Sequence, residues 1–302
     1  MKAVVLKAYG DVDQLSYQEA EKPQPRAGEV LVKVAAASVN PVDWKIRSGA
    51  MRAIMPMELP IIPGYDLAGE VAEVGAGVTT FKMGQKVLAV ADHCYAEFAL
   101  VKADVLAAMP EGLSFEQAAA LALVSMTGAQ LIERGVKPKS GQSVLVTGAL
   151  GSVGRTAVFV ARQRGAKVIA GVKSSQVADA KALGPDSVVS LEDDKELAKF
   201  SNLDAIADTV GAAVTPKLLK LLRPGGLLAS VVGPPDEAKN YDIRAEMVIQ
   251  QPDAAQLARL AEDVARGRLE IPIARVFKLE EAGDAQKFAQ SGGAGGKVVL
   301  VP

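Results

Sequence analysis

One segment near the middle of the chain has the residue types and spacing to hold a phosphate: Val144-Leu145-Val146-Thr147-Gly148-Ala149-Leu150-Gly151-Ser152-Val153-Gly154. An apolar run leads into a tight glycine-rich turn, and the residues from Ser152 read as the first turn of a helix. Gly151 lets backbone approach a pyrophosphate, and Gly154 lets the helix pack closely on the strand. Amide groups at the helix start, together with its dipole, then bind the phosphates. The motif departs from a strict G-x-G-x-x-G because Ala149 holds the first glycine position. A merely structural turn is the competing reading, and the strand–turn–helix setting argues against it.

The end of the next apolar run distinguishes the cofactors. NAD sites usually place Asp or Glu about 20 residues beyond the glycines' start, on the ribose 2′-hydroxyl. Here Ala170-Gly171-Val172-Lys173-Ser174-Ser175 carries no acid. A carboxylate would repel a 2′-phosphate, whereas Lys173 with the hydroxyls of Ser174 and Ser175 would bind it. The expected cofactor is therefore NADPH; a solvated loop lysine is the alternative reading of Lys173.

These residues need a scaffold, and the pattern supplies an α/β one. From Gln142 onward, apolar runs at 143–147, 167–171, 187–190, 205–207 and 227–232 alternate with helical segments, as in a doubly wound parallel sheet. The first hundred residues read instead as short strands punctuated by Gly and Pro, such as 30–35, 67–74 and 86–90, which suggests an irregular β-barrel. Ser114 can cap a helix over 118–133. A late helix is expected at 256–266, and 297–301 reads as a strand returning to the first domain. The expected division is 1–115 with 268–302 as one domain and 116–267 as the dinucleotide-binding domain.

Composition narrows the function classes. The chain has 302 residues, a net charge of −1 and interspersed acids and bases. That balance gives no basic surface for nucleic acid or a membrane. Lys7 interrupts the N-terminal apolar run, and the single Cys94 fits a reducing compartment, so a cytoplasmic location is expected. One histidine, His93, and one cysteine cannot assemble three or four N/S ligands, so no metal is expected.

Further segments carry a resemblance. They are Asn40-Pro41-Val42-Asp43-Trp44-Lys45-Ile46-Arg47-Ser48-Gly49, Pro63-Gly64-Tyr65-Asp66-Leu67-Ala68-Gly69, Tyr95-Ala96-Glu97-Phe98, Asp208-Thr209-Val210-Gly211 and Gly296-Lys297-Val298-Val299-Leu300. With the glycine turn, in this order, the chain resembles the zinc-free quinone and enone oxidoreductases of the medium-chain dehydrogenase/reductase superfamily. The resemblance implies a GroES-like barrel domain plus a Rossmann domain, with a homodimer formed by Rossmann edge strands. The run 227–232 is one candidate for that edge, though it could equally be internal.

The resemblance also implies roles. Asn40 and Thr127 would lie near the nicotinamide, Gly151, Ser152 and Val153 at the pyrophosphate, and Lys173 and Ser174 at the 2′-phosphate. Val210, Gly233, Gly296 and Lys297 would border the cofactor. Hydride would pass from NADPH to a quinone or to the β-carbon of an α,β-unsaturated carbonyl. Lys45 is a candidate donor to the substrate oxygen and Tyr65 the alternative, with the final proton from either or from water. Asp43 would orient the Asn40 loop. Segments at 90–95 and 235–248 look shortened, which leaves substrate size open. An enoyl-thioester reductase and a non-catalytic NADPH-binding protein are the competing functions.

Overall fold

The computed structural model describes Met1–Pro302. They form two compact units: unit 1, Met1–Leu123 with Pro252–Pro302, and unit 2, Val124–Gln251.

Unit 1 opens with β1 (Lys2–Leu6) paired antiparallel to β2 (Leu15–Glu19). Next comes β3 (Glu29–Val39), whose valines and alanines give a nearly continuous buried face. Pro41 then starts α1 (Pro41–Arg47), where its missing N–H costs nothing. β4 (Leu67–Val74), β5 (Lys86–Ala89), β6 (Phe98–Lys102) and β7 (Leu106–Ala108) follow. One edge of β3 pairs with β4, and the opposite edge pairs with β6 over Glu29–Lys33. α2 (Phe115–Gln130) carries the chain into unit 2 and ends in a π-helical turn, Leu131–Val136.

Unit 2 continues with β8 (Ser143–Thr147), α3 (Ser152–Gln163), β9 (Lys167–Val172), α4 (Val177–Ala180), β10 (Ser187–Ser190) and α5 (Asp194–Leu197). β11 (Leu203–Asp208), α6 (Thr215–Leu218), β12 (Leu222–Ser230) and β13 (Ile243–Met247) complete it. The strands form one parallel sheet in the order β10-β9-β8-β11-β12-β13. Chain direction across the sheet reverses beside β8, which creates the crevice at which open α/β sheets bind ligands.

The run 227–232 is not a sheet edge. β12 lies inside the sheet, flanked by β11 and β13, and β13 is the edge. The sequence hides that edge because Arg244, Ala245, Glu246 and Met247 are all exposed, so β13 presents no apolar run.

The chain then re-enters unit 1 through α7 (Ala254–Ala265), β14 (Ile273–Lys278), α8 (Ala282–Gln290) and β15 (Lys297–Val301). β15 pairs antiparallel with the far end of β3, Leu300 facing Ala37 and Val298 facing Val39. That pairing places Lys297 beneath the start of α1. No helix is long and apolar enough to cross a membrane.

Candidate functional site

In unit 2 the loops after β8, β9, β11 and β12 converge at the C-terminal edge of the sheet. The glycine turn begins with Gly148 at φ 62, a left-handed conformation that costs glycine little. Ala149 lies outside that region and is fully buried, its amide donating to the Gly171 carbonyl at 3.1 Å. The departure at Ala149 is thus harmless, because Gly148 makes the bend. A methyl group on Gly154 would collide with the Gly148 carbonyl oxygen, so α3 packs closely on the turn only because Gly154 has no side chain.

Gly151 caps α3 in extended conformation, with no side chain accepting from the first-turn amides and no acid among them. No side chain therefore occupies the leading amides of this twelve-residue helix, as a pyrophosphate cradle requires. These features fit a dinucleotide. Gly128, next to Thr127 on α2, lies so close that a methyl group there would strike the Val153 carbonyl. Thr127 is thereby brought beside the start of α3, half-buried.

Asp208 holds the other loops. Fully buried, it accepts from Thr147 Oγ1 at 2.9 Å, Thr215 Oγ1 at 2.8 Å, Ser230 Oγ at 2.7 Å and the amides of Val210 and Gly211, both at 3.1 Å. One carboxylate thus ties the ends of β8, β11 and β12 together. It presents Val210 beside Gly148, where an added Cβ would meet Val210 Cγ2 at 3.0 Å. Gly233, at φ 98, follows Val232, whose amide is bound by Ser230 Oγ. Asp208 was visible in the sequence only as part of a motif, since its partners come from β8, β12, α6 and the loop after β11.

At the end of β9, Lys173 and Ser174 are exposed. The Ser174 amide donates to Glu192 Oε2 at 2.9 Å, and its hydroxyl shares a 2.7 Å hydrogen bond with Ser190 Oγ. Asp193 caps α5 by accepting from the amides of Lys195 and Glu196.

Unit 1 gathers a buried polar network around Asn40. Asp66 Oδ1 accepts from the Ser38 amide at 2.8 Å, while its Oδ2 accepts from Ser38 Oγ at 2.8 Å and Asn40 Nδ2 at 3.0 Å. Lys297 Nζ, itself buried, donates to Asn40 Oδ1 at 2.6 Å and to the Val39 carbonyl at 2.8 Å. Asp43 Oδ2 accepts from the Asn40 amide at 2.7 Å and from Tyr95 Oη at 2.8 Å, leaving Oδ1 buried without a partner. Asp43 therefore clamps the Asn40 loop, and Lys297 supports Asn40 from behind.

Burial of two carboxyls beside one ammonium shifts all three. Desolvation pushes Asp43 up to about 7, opposed by the Asn40 amide and reinforced by Asp66. Desolvation also raises Asp66, against Lys297, Asn40 and Ser38, and lowers Lys297 against the two carboxylates. Gly64, at φ 100, leaves room for the Tyr95 ring, which a Cβ there would overlap.

The two candidate donors differ. Tyr65 is half-buried, and desolvation, then Asp92, Asp43 and Cys94, raises its hydroxyl pKa, so it remains a protonated hydrogen-bond donor. Lys45 is exposed on α1 with no ion pair. Gly296 is fixed by close approach, since a Cβ would lie 2.6 Å from the Pro272 carbonyl oxygen.

A catalytic zinc, as in zinc-dependent relatives of such folds, does not fit these residues. His93 turns its Nδ1 to the Ile62 carbonyl at 2.8 Å, and the buried Cys94 thiol donates to the Ala91 carbonyl at 3.0 Å. Burial raises that thiol, and no three His, Cys, Asp or Glu side chains gather as a ligand set. A cavity of about 600 Å³ in unit 1, beside Arg47 and Lys287, and one of about 310 Å³ in unit 2, beside Lys137 and Arg223, include none of the residues singled out.

A parallel sheet with a glycine turn, joined to a strand-rich unit with a buried Asn–Asp–Lys cluster, is the architecture of a two-domain nicotinamide oxidoreductase. Residues 26–113 match the alcohol dehydrogenase GroES-like domain, and residues 183–300 match the zinc-binding dehydrogenase family. The chain is 30% identical to the chloroplast envelope quinone oxidoreductase homolog of Arabidopsis thaliana, over 100% of this chain and 98% of that one. It is also 30% identical to the 2-methylene-furan-3-one reductase of Solanum lycopersicum, over 100% of this chain and 79% of that protein. The solved quinone oxidoreductase of Coxiella burnetii superposes with a TM-score of 0.89 at 31% identity, covering 100% of this chain and 99% of that one. The chain belongs to the quinone oxidoreductase branch of the medium-chain dehydrogenase/reductase superfamily. Membership makes it an oxidoreductase with a nicotinamide cofactor.

Proposed function

We propose that the chain is an NADPH-dependent reductase of quinones or α,β-unsaturated carbonyls. The observation that carries this reading is the glycine turn, with uncapped α3 amides and with Lys173 and Ser174 at the end of β9. The bound nicotinamide supplies a hydride. Gly151, Ser152 and Val153 hold the pyrophosphate, and Lys173 and Ser174 hold the 2′-phosphate. Val210 and Gly233 shape the edge of the nucleotide site, held by Asp208 and Ser230.

Unit 1 supplies the groups that respond to the substrate. Reduction places negative charge on the substrate oxygen, and a donor aimed there stabilises it. Tyr65 fits better than Lys45, because it is half-buried whereas Lys45 is exposed. Its raised pKa makes it a donor that holds its own proton, and the final proton comes from water. Both Asn40 amide hydrogens are committed to Ser38 and Asp66, so Asn40 acts by shape. Gly296 and Lys297 hold this wall in place. The open edge of β13, with exposed Met247 and Ile249 beyond it, is the surface on which a second copy would pair.

Oxidation of NADPH and NADH, followed at the nicotinamide absorbance with a panel of quinones and short enones, tests this reading. Turnover with NADPH several-fold above NADH is expected, and Lys173→Ala should remove most of that difference. A clear NADH preference, or turnover with neither, contradicts it.

A further inference from the structure

The carboxylate of Glu192 stands just past the end of β9, against the Ser174 amide. In the parallel pairing of β9 and β10, Val172 faces Ser190. Two residues beyond the end of each strand are Ser174 and Glu192, and they are hydrogen-bonded. The acid missing after β9 is therefore delivered by the turn that follows β10. Ser190 Oγ fixes the arrangement, since it accepts from the Glu192 amide at 3.2 Å and pairs with the Ser174 hydroxyl. The Ser174 amide that would meet an incoming phosphate is already engaged by a charged group, and the Ser174 hydroxyl is paired with Ser190. The Ser174 amide and hydroxyl, with Lys173 and Lys217 nearby, hold Glu192 below the usual carboxylate range, so it is charged at neutral pH.

We infer that Glu192 is a specificity-determining residue for the nucleotide: it occupies the anion position at the end of β9 and narrows the preference for a 2′-phosphate over a 2′-hydroxyl. This rests on the nucleotide site proposed above. A 2′-phosphate must displace Glu192 from the Ser174 amide and remain close to its charge. A 2′-hydroxyl can donate to the carboxylate where it stands. Lys173 and Glu192 thus act in opposite directions on one choice.

The test is equilibrium binding of NADPH, NADH, adenosine 2′,5′-bisphosphate and AMP to the full chain and to Glu192→Gln. The amide keeps the side chain's shape and an acceptor for Ser174, and the position is exposed, so folding is preserved. Loss of one nearby charge should tighten NADPH and adenosine 2′,5′-bisphosphate by about five- to tenfold at low salt. NADH and AMP should not tighten, and the gain should shrink in about 0.5 M salt. Unchanged ratios with intact NADPH binding overturn the role of Glu192 alone. If the unaltered chain binds none of the four, both the nucleotide site and this inference fall.

Discussion

Lys297→Met should lower the unfolding midpoint by about 10 °C, following a loss of about 3–5 kcal/mol. Lys297 supplies the positive charge for the buried Asp43–Asp66 pair, and its ammonium also satisfies Asn40 Oδ1 and the Val39 carbonyl. Methionine fills comparable volume but leaves two buried carboxyls beside each other without a cation. Adding Asp66→Asn removes the carboxylate that Lys297 balanced, and the freed Asn40 amide can turn its oxygen towards the new Nδ2. The double variant should recover roughly 1–3 kcal/mol over simple additivity. Thermal or urea unfolding of the four proteins measures this directly. Additive losses would show that Lys297 acts by packing alone.

Asp43→Asn is expected to change the pH dependence of stability. The folded chain keeps a proton on Asp43 up to about pH 7, whereas the unfolded chain releases it near 4. Between those values the native state binds the extra proton, so this group's contribution is lost as pH rises from about 4 through 7. Asparagine keeps an oxygen for the Asn40 amide and Tyr95 Oη, and puts an uncharged NH₂ where Oδ1 has no partner. Relative to the unaltered chain, the variant should gain on the order of 3 kcal/mol between pH 5 and pH 8. Urea midpoints at the two pH values read this out; parallel changes in both proteins would contradict it.

Local pattern made the nucleotide half of the protein legible and left the Asn40 half obscure. The glycine turn depends on residues within a few positions of each other, so type and spacing suffice to expect it. Asn40 depends on Asp66, 26 residues away, and on Lys297, 257 residues away. No periodicity links such partners before β15 is known to return to β3. Lys297 thus reads from sequence as a neighbour of the cofactor, and the fold shows its ammonium spent behind Asn40. Glu192 is a milder case. The acidic run Glu192-Asp193-Asp194-Lys195-Glu196 reads as a solvated loop or helix start; Asp193 caps α5, but only the register of β9 against β10 brings Glu192 to Ser174. The β13 edge stayed hidden because an exposed strand need not be apolar.

The most direct test of the proposed reaction follows deuterium from NADPH deuterated at the transferable position of C4 into a short enone. The account predicts one deuterium on the β-carbon of the saturated ketone, with solvent hydrogen at the α-carbon. Deuterium on the carbonyl carbon, giving an allylic alcohol, or no transfer to enones or quinones at all, would contradict it.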